Sequence, residues 1–350
     1  MPKAPTSADV AREAGVSQST VSYVMSGKRP ISEKTRRRVA EAIDRLTYEP
    51  HAGARALAGH RTSTIAVVMP LRQASSAERL MIFVEEFTYA ARRRDHDVLL
   101  VTADEGAAGL RRVAGRSLCD AIVVMEVGSH DARVETARGL AVPVVFVGIP
   151  DDGEGLDCLD FDFEGAGEVI VSELAGLGHR TVDVIGWGED VHAQGFNYIP
   201  RFTAGAERAA RRSDVRLRWH RASTGEDVRR AVDNARAASG VPALAVVTAI
   251  PETLHALSER RLRPGRDVDV VALTTGFVSE ADGLTNVSTR PRDVSRRVME
   301  RVFGLIDGDL ATRGGADLVP ASLTRGGSTR SRPADRPAGP ADNHREKEAS

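Results

Sequence analysis

Three short apolar stripes at helical spacing open the chain, and apolar runs at strand spacing take over from residue 64. Val10, Ala11 and Ala14 share one face of a first helix, and Val21, Val24 and Met25 share one face of a second. Val39, Ile43 and Leu46 recur at i, i+4 and i+7 in a third. Local punctuation fits these stripes. Thr6 is a suitable N-cap with Asp9 as its capping-box partner, Gly15 supplies a left-handed turn, and Val16 drops into the core beside it. Ser17 and Ser32 cap the second and third helices. Putting Val21, Val24 and Met25 inward leaves Gln18, Ser19, Ser22 and Tyr23 together on the outer face. Two short helices, a Gly-containing turn and a polar outer face predict a helix-turn-helix head closed by the third helix.

From residue 63 short apolar runs alternate with helical stretches. Residues 64–69, 98–102, 121–125 and 144–147 read as buried parallel strands, separated by helices such as 78–93 and 132–140. A second set follows, with strands at 182–185, 243–247 and 269–273 among helices at 164–177, 202–212, 227–238 and 252–260. Two such sets predict two doubly wound α/β lobes of parallel sheet, the architecture of periplasmic sugar-binding proteins. A helix at 292–306 then crosses back to the first lobe, and the chain finishes in the second. The expected layout is a head over 1–50, a small-residue linker over 51–61, a two-lobed core over 62–328 and a disordered tail over 329–350. That tail has no Leu, Ile, Val, Met or aromatic residue to repay ordering.

Charge sharpens the reading of the head. Through Arg61 there are 11 Lys/Arg against 6 Asp/Glu, while the remaining 289 residues carry 37 against 43. A basic head on a mildly acidic body is an electrostatic footprint for nucleic acid. Cys119 and Cys158 lack metal spacing and read as core thiols in a reducing compartment. No run of 18 apolar residues and no secretion-signal pattern is present, so a cytoplasmic, nucleoid-associated location is expected.

The stretches DVAREAGVSQSTVS (Asp9 to Ser22), TRRRVAEAIDRLTYEP and ARALAG resemble the lactose-repressor (LacI/GalR) family of bacterial transcription regulators. The match returns at Gly178-His179-Arg180 and at Leu318-Val319-Pro320, Leu323-Thr324-Arg325 and Ser328-Thr329. It implies a homodimeric repressor that binds a pseudo-palindromic DNA operator and answers to a small molecule held between the lobes. Gln18 can pair with adenine, Ser19 with a base edge, and Tyr23 stands where many relatives carry Arg, so the preferred operator should differ. Thr20, Ser22 and Thr6, with the arginines of the third helix, suit phosphate contacts. In the family the linker becomes helical on the operator and a Leu pries open a minor-groove step. Leu57 has the matching place with Ala54 beneath it, and Gly53 stands where a larger residue is usual.

Enzyme signatures are missing. The chain has no GxxxxGK[ST], HExxH, CxxC or GxSxG, and Gly186-Trp187-Gly188 lacks the third glycine of a dinucleotide fingerprint. No cofactor is expected. His179 reads as a structural corner residue, with no carboxylate placed beside it by sequence.

By the rule for parallel sheets, a ligand belongs at the carboxyl ends of the strands. Candidates there are Arg72, Glu126, Asp162, Trp187, Arg201 and Thr274. Asp162 matches the family's acidic residue after the lobe crossover, and Arg201 resembles its pocket arginine, one residue further from Gly205 than usual. Sugar-responsive relatives carry Asn-Asp and Asp-Asp pairs that clamp hydroxyls; here Ala249-Ile250 and Thr274-Thr275 replace them. The segment Leu71-Arg72-Gln73-Ala74-Ser75-Ser76 also lacks the usual Asn-Pro-aromatic. Weak affinity for an unmodified hexose follows, and Arg72 with Arg201 would favour an anionic or phosphorylated effector. A pocket with no effector, a small-molecule binding protein with an assembly head, and an α/β enzyme with an appended head are the competing readings.

Overall fold

The computed structural model describes residues 5–26, 29–48, 61–69, 77–102, 105–237, 240–275, 283–311 and 314–330. The expectations for Ala54 and Leu57 in the linker, for Arg72, and for the tail beyond residue 330 lie outside these residues; Thr329 and Arg330, expected in that tail, are instead held by Thr285 and Asp269.

Helix α1 (Ser7–Ala14) begins at Thr6, whose hydroxyl accepts from the Asp9 N–H while the Asp9 carboxylate takes the Thr6 N–H, a full capping box. Gly15 ends it at φ 62°, returning its N–H to the Ala11 and Arg12 carbonyls. Helix α2 (Gln18–Ser26) starts at Ser17, whose Oγ accepts from the Thr20 N–H at 3.2 Å. Ser32 caps α3 (Glu33–Leu46) by accepting from the Thr35 N–H. Val10, Val21 and Val39 are fully buried together, as the stripes predict. Two details differ. Met25 sits in the last turn of α2 and is 37% exposed, and Ala42 and Tyr48 join the buried cluster of the head.

The first lobe runs β1 (Thr64–Met69), α4 (Ala77–Arg92), β2 (Asp97–Thr102), α5 (Gly106–Gly115), β3 (Ala121–Val124), α6 (Arg133–Arg138), β4 (Val144–Val147) and β5 (Asp157–Phe161). The second runs α7 (Phe163–Gly176), β6 (Thr181–Trp187), the single turn α8 (Glu189–His192), α9 (Tyr198–Ser213), β7 (Arg216–Ala222), α10 (Gly225–Arg236), β8 (Ala243–Val246), α11 (Ile250–Glu259), β9 (Asp269–Thr274) and β10 (Thr285–Ser288). The chain then returns through α12 (Pro291–Asp307) and β11 (Gly315–Val319) before ending on β12 (Leu323–Thr324). Sheet one has the order β11-β5-β4-β3-β1-β2 and is wholly parallel. Sheet two repeats that order as β12-β10-β9-β8-β6-β7, with only β12 antiparallel. Each lobe therefore reverses strand order beside its first strand, and the carboxyl ends there form a crevice. As expected, α12 packs on the first lobe, against α4 and β5.

Four buried acids are each answered from a distant segment. Arg301 on α12 donates from Nε to Asp157 at 2.8 Å, and Arg325 reaches Glu173 at 3.1 Å. Asp183 takes His220 at 2.7 Å and Arg218 at 2.6 Å. Asp269, fully buried, takes His179 Nε2 at 2.7 Å and Arg330 Nε at 2.8 Å. His179 thus has a carboxylate partner after all, supplied 90 residues away by strand pairing that sequence spacing cannot show. Its role remains structural, since the pair fastens the Gly-His-Arg corner to β9 and to the segment leaving β12. Both cysteines are buried; burial pushes the Cys119 thiol up to about 11 and the Cys158 thiol up to about 12, as inert core thiols require.

Candidate functional site

Two surfaces carry chemistry. The first is the outer face of α2, where Gln18, Ser19, Ser22 and Tyr23 are all exposed. Gln18 donates from Nε2 to Ser7 Oγ at 2.8 Å, which steadies its amide at the joint of the first two helices. The Arg29 guanidinium stands 5.8 Å from the Tyr23 ring centre, a cation–π contact that puts a positive charge beside the phenol. Thr6 spends its hydroxyl on the cap, donating to Asp9 at 2.6 Å, and Thr20 is half-buried with its hydroxyl 2.8 Å from Ser17. Arg36, Arg37 and Arg38 are exposed on α3. Exposed polar groups on α2 and exposed arginines on α3 suit a groove of duplex DNA.

The second surface is a cleft of about 840 Å³, counted to its open mouth, between the carboxyl ends of the two sheets. Both lobes line it. Glu126 follows β3, Asp160 and Phe161 end β5, Trp187 ends β6, and Leu273 and Thr275 close the far side. Phe83 of α4, Phe163 of α7 and Tyr198 of α9 complete an aromatic wall. Phe161 and Phe163 stand 5.2 Å apart at 88°, and Tyr198 lies 5.3 Å from both Phe163 and Trp187.

The loop that carries Glu126 is held by a buried pair. Arg133 bridges to Asp131 at 2.6 Å and also donates to the carbonyls of Met125 at 3.1 Å and Glu126 at 2.9 Å. Burial pushes the Asp131 carboxyl up, but hydrogen bonds from Arg133 outweigh it and hold the group below its ordinary value. Glu126 itself sits at φ 51°, a left-handed conformation that this bracing sustains.

Of the six effector candidates, Glu126 and Trp187 line the cleft. Asp162 caps α7 instead, accepting from the Gly165 N–H at 2.8 Å. Arg201 is turned to Asp160, 3.6 Å away, and Thr274 is buried against Asn286 at 3.3 Å while its neighbour Thr275 faces the cleft. No Arg or Lys is among the described lining residues, and two carboxylates are. Arg201 faces Asp160 rather than the lining, and Arg72 lies outside the described residues. Sequence reading missed Asp160, the phenylalanines and Tyr198. The alternation Asp160-Phe161-Asp162-Phe163 was the available signal for a strand end that carries both acids and rings.

Residues 6–51 match the family described as "Bacterial regulatory proteins, lacI family", and residues 171–329 match "Periplasmic binding protein-like domain". The matches cover the head and the second lobe, more than half of the chain between them. The head is that of the lacI family, and residues 171–329 are periplasmic-binding-protein-like. Among curated relatives, catabolite control protein A of Priestia megaterium is 30% identical over 178 residues, covering 50% of this chain and 52% of that protein. Catabolite control protein A of Streptococcus mutans is 34% identical over 173 residues, covering 48% of this chain and 50% of that protein. The chain thus spans about half the length of the curated relatives it matches. Among solved structures, the Lac repressor dimer bound to operator and the anti-inducer ONPF superposes with a TM-score of 0.77 at 23% identity, covering 94% of this chain and 100% of that one. A complex of the transcriptional regulator CelR with cellobiose superposes at 0.62 with 21% identity, covering 93% and 99%. These likenesses show that the described head and two-lobed core share the fold of those structures.

Proposed function

We propose that this chain is a sequence-specific, DNA-binding transcriptional regulator, a homodimeric repressor whose operator affinity is set by a small molecule in the interlobe cleft. The exposed Gln18-Ser19-Ser22-Tyr23 face of α2 carries the reading, because it presents base-reading groups outside a packed three-helix core. Gln18, Ser19 and Tyr23 read base edges; Thr20, Ser22, the Thr6 corner and the α3 arginines meet phosphates. Leu57 over Ala54 wedges the minor groove at the operator centre. A regulator of this kind works in the cytoplasm, on the nucleoid.

Selection of bound duplexes from a random pool tests the reading. Gln18→Ala is expected to lose about 1–3 kcal/mol at one base position and to relax preference there, leaving salt-sensitive binding to random DNA in place. An unchanged consensus for single alanine variants of Gln18, Ser19 and Tyr23 removes α2 as the reader. Loss of all DNA binding at low salt favours the small-molecule binding protein instead.

One head offers few base contacts, so pairing is needed for a paired half-site. Exposed apolar side chains support such pairing. Met81 and Tyr89 on α4 are 52% and 67% exposed, Leu100 on edge strand β2 is 41% exposed, and Trp219 on edge strand β7 is 39% exposed. Sedimentation is expected to give a dimer, and Tyr89→Arg with Leu100→Asp to shift it toward monomer with weaker operator binding. A wild-type monomer at micromolar concentration contradicts this assembly.

A further inference from the structure

We propose that α12 links the interlobe cleft to the DNA-binding head, and that Arg61, Asp120 and Asp307 are positioning residues that join the linker exit to that helix and its lobe. This inference rests on the cleft being the effector site of the regulator proposed above.

Residues 61–63 are where the chain from the head enters the core, and each is held. The Asp120 carboxylate, just ahead of β3, takes the Thr62 N–H at 2.6 Å, the Thr62 hydroxyl at 2.9 Å and the Ser63 N–H at 2.8 Å. His96 Nε2 stands 3.6 Å from the oxygen that serves Ser63. Burial pushes this carboxyl up, but the bonds from His96, Thr62 and Ser63 keep it below its ordinary value, so it holds its donors as an anion. Ser63 sits at φ 53°, and its carbonyl accepts from the Asp97 N–H at 2.9 Å. A left-handed residue other than glycine persists where its surroundings impose it, so the entry has one geometry.

Arg61 ties this entry to α12. It donates to Asp307 at 3.1 Å and to the Ile306 carbonyl at 2.8 Å, placing a cation on the carboxyl end of the helix. Arg94 donates to the other Asp307 oxygen at 3.2 Å and lies 5.1 Å from the centre of the Phe303 ring, which His96 meets edge-on at 5.2 Å. Linker exit, entry to β2 and last turns of α12 are one packed joint. The other end of the helix enters the cleft, where Pro291 and Val294 line it beside Thr289. The 17 residues between these ends span about 25 Å. Packed helices slide as units rather than compress, so a ligand pressing on the first turn moves the carbonyl that Arg61 grips. The Arg61–Asp307 pair, with 51% and 31% of its side chains exposed, adds little to stability. What it fixes is position.

The link is tested by filling the cleft with a side chain in place of an effector. Full-length Arg61→Ala, Asp307→Ala, Val294→Phe and the Arg61→Ala/Val294→Phe double variant are compared for affinity to the selected operator, binding to random DNA and urea midpoint. Arg61→Ala and Asp307→Ala should each weaken operator binding by about three- to ten-fold with an unchanged midpoint. The two change net charge in opposite directions, so a plain charge effect on DNA would move them apart. Val294→Phe should shift operator affinity by at least about five-fold, and that shift should shrink to within about two-fold when Arg61 is also replaced. Residues 294 and 306 lie about 18 Å apart along the helix, where effects ordinarily add to within about two-fold. Thr289→Phe, which fills the cleft from the loop ahead of α12, repeats the cycle if Val294→Phe does not fold. Additive effects, opposite shifts for Arg61→Ala and Asp307→Ala, or cleft variants with wild-type operator affinity overturn the proposal. Amide exchange at Thr62 and Ser63 reads the same link with no DNA present. There Val294→Phe should change protection by at least about three-fold with Arg61 in place and not without it, and unchanged protection overturns the link. A chain that selected no operator would still give this reading, so failure of the link and failure of the regulator reading are told apart.

Discussion

Arg301→Ala is expected to cost about 3–5 kcal/mol of stability, seen as a lower urea midpoint by circular dichroism. The guanidinium is 8% exposed and donates from Nε to Asp157 at 2.8 Å and from Nη2 to the Ala311 carbonyl at 2.6 Å. Asp157 is itself only 4% exposed, at the start of β5 in the middle of the first lobe. Removing the cation takes the Arg301 charge away from a buried carboxylate, and that penalty exceeds the worth of the pair. The double variant Arg301→Met with Asp157→Leu should recover much of the loss, because both charges leave together. A single variant within about 1 kcal/mol of wild type contradicts a buried ion pair at this place.

Gly205→Val should cost about 3 kcal/mol or more by the same measurement. α7 and α9 cross through glycine on both sides. A Cβ on Gly205 falls 1.8 Å from the Glu164 carbonyl oxygen, and one on Gly167 falls 2.3 Å from the Phe202 carbonyl oxygen. Backbone, unlike the end of a long side chain, cannot step aside, so the helices must part and loosen fully buried Phe202 from Trp187, 5.6 Å away. Gly225 is the control: its only near neighbour is the Arg229 guanidinium at 3.7 Å, so Gly225→Ala should stay within about 0.5 kcal/mol. Equal losses at both positions would mean the close crossing is not what makes Gly205 necessary.

These two sites also mark what the sequence could and could not show. Strands that are continuous apolar runs were legible nearly to the residue: β1 and β4 match at both ends, and β3, β8 and β9 lie within one residue. The head was legible because its caps and stripes are local. The strands missed are those whose polarity follows partners far along the chain. β5 is buried throughout yet carries Asp157 and Asp160, while β7 and β11 are edges with charged or exposed residues and β12 is two residues long. β10 and helices α5 and α8 were also unread. The same cause hid half of the cleft. Glu126 and Trp187 follow strands that could be read, whereas Asp160 belongs to one that could not. Asp162 and Arg201 were in the right neighbourhood but serve a helix cap and a buried carboxylate.

The final return of the chain has a consequence for how the protein is made. β11 borders sheet one with Gly315 opposite Asp157, and β12 borders sheet two with Leu323 opposite Val287. A few residues near the end thus complete two bodies whose other strands were synthesised long before. On a ribosome, both lobes emerge with an open border and wait for the same late segment, so neither has a finished edge to protect it until nearly the whole core has been translated. Pairings of such long sequence separation form slowly, and exposed borders invite wrong partners meanwhile. The nascent chain is therefore most vulnerable to aggregation and proteolysis just before residue 315 emerges, and the two lobes become safe at almost the same moment.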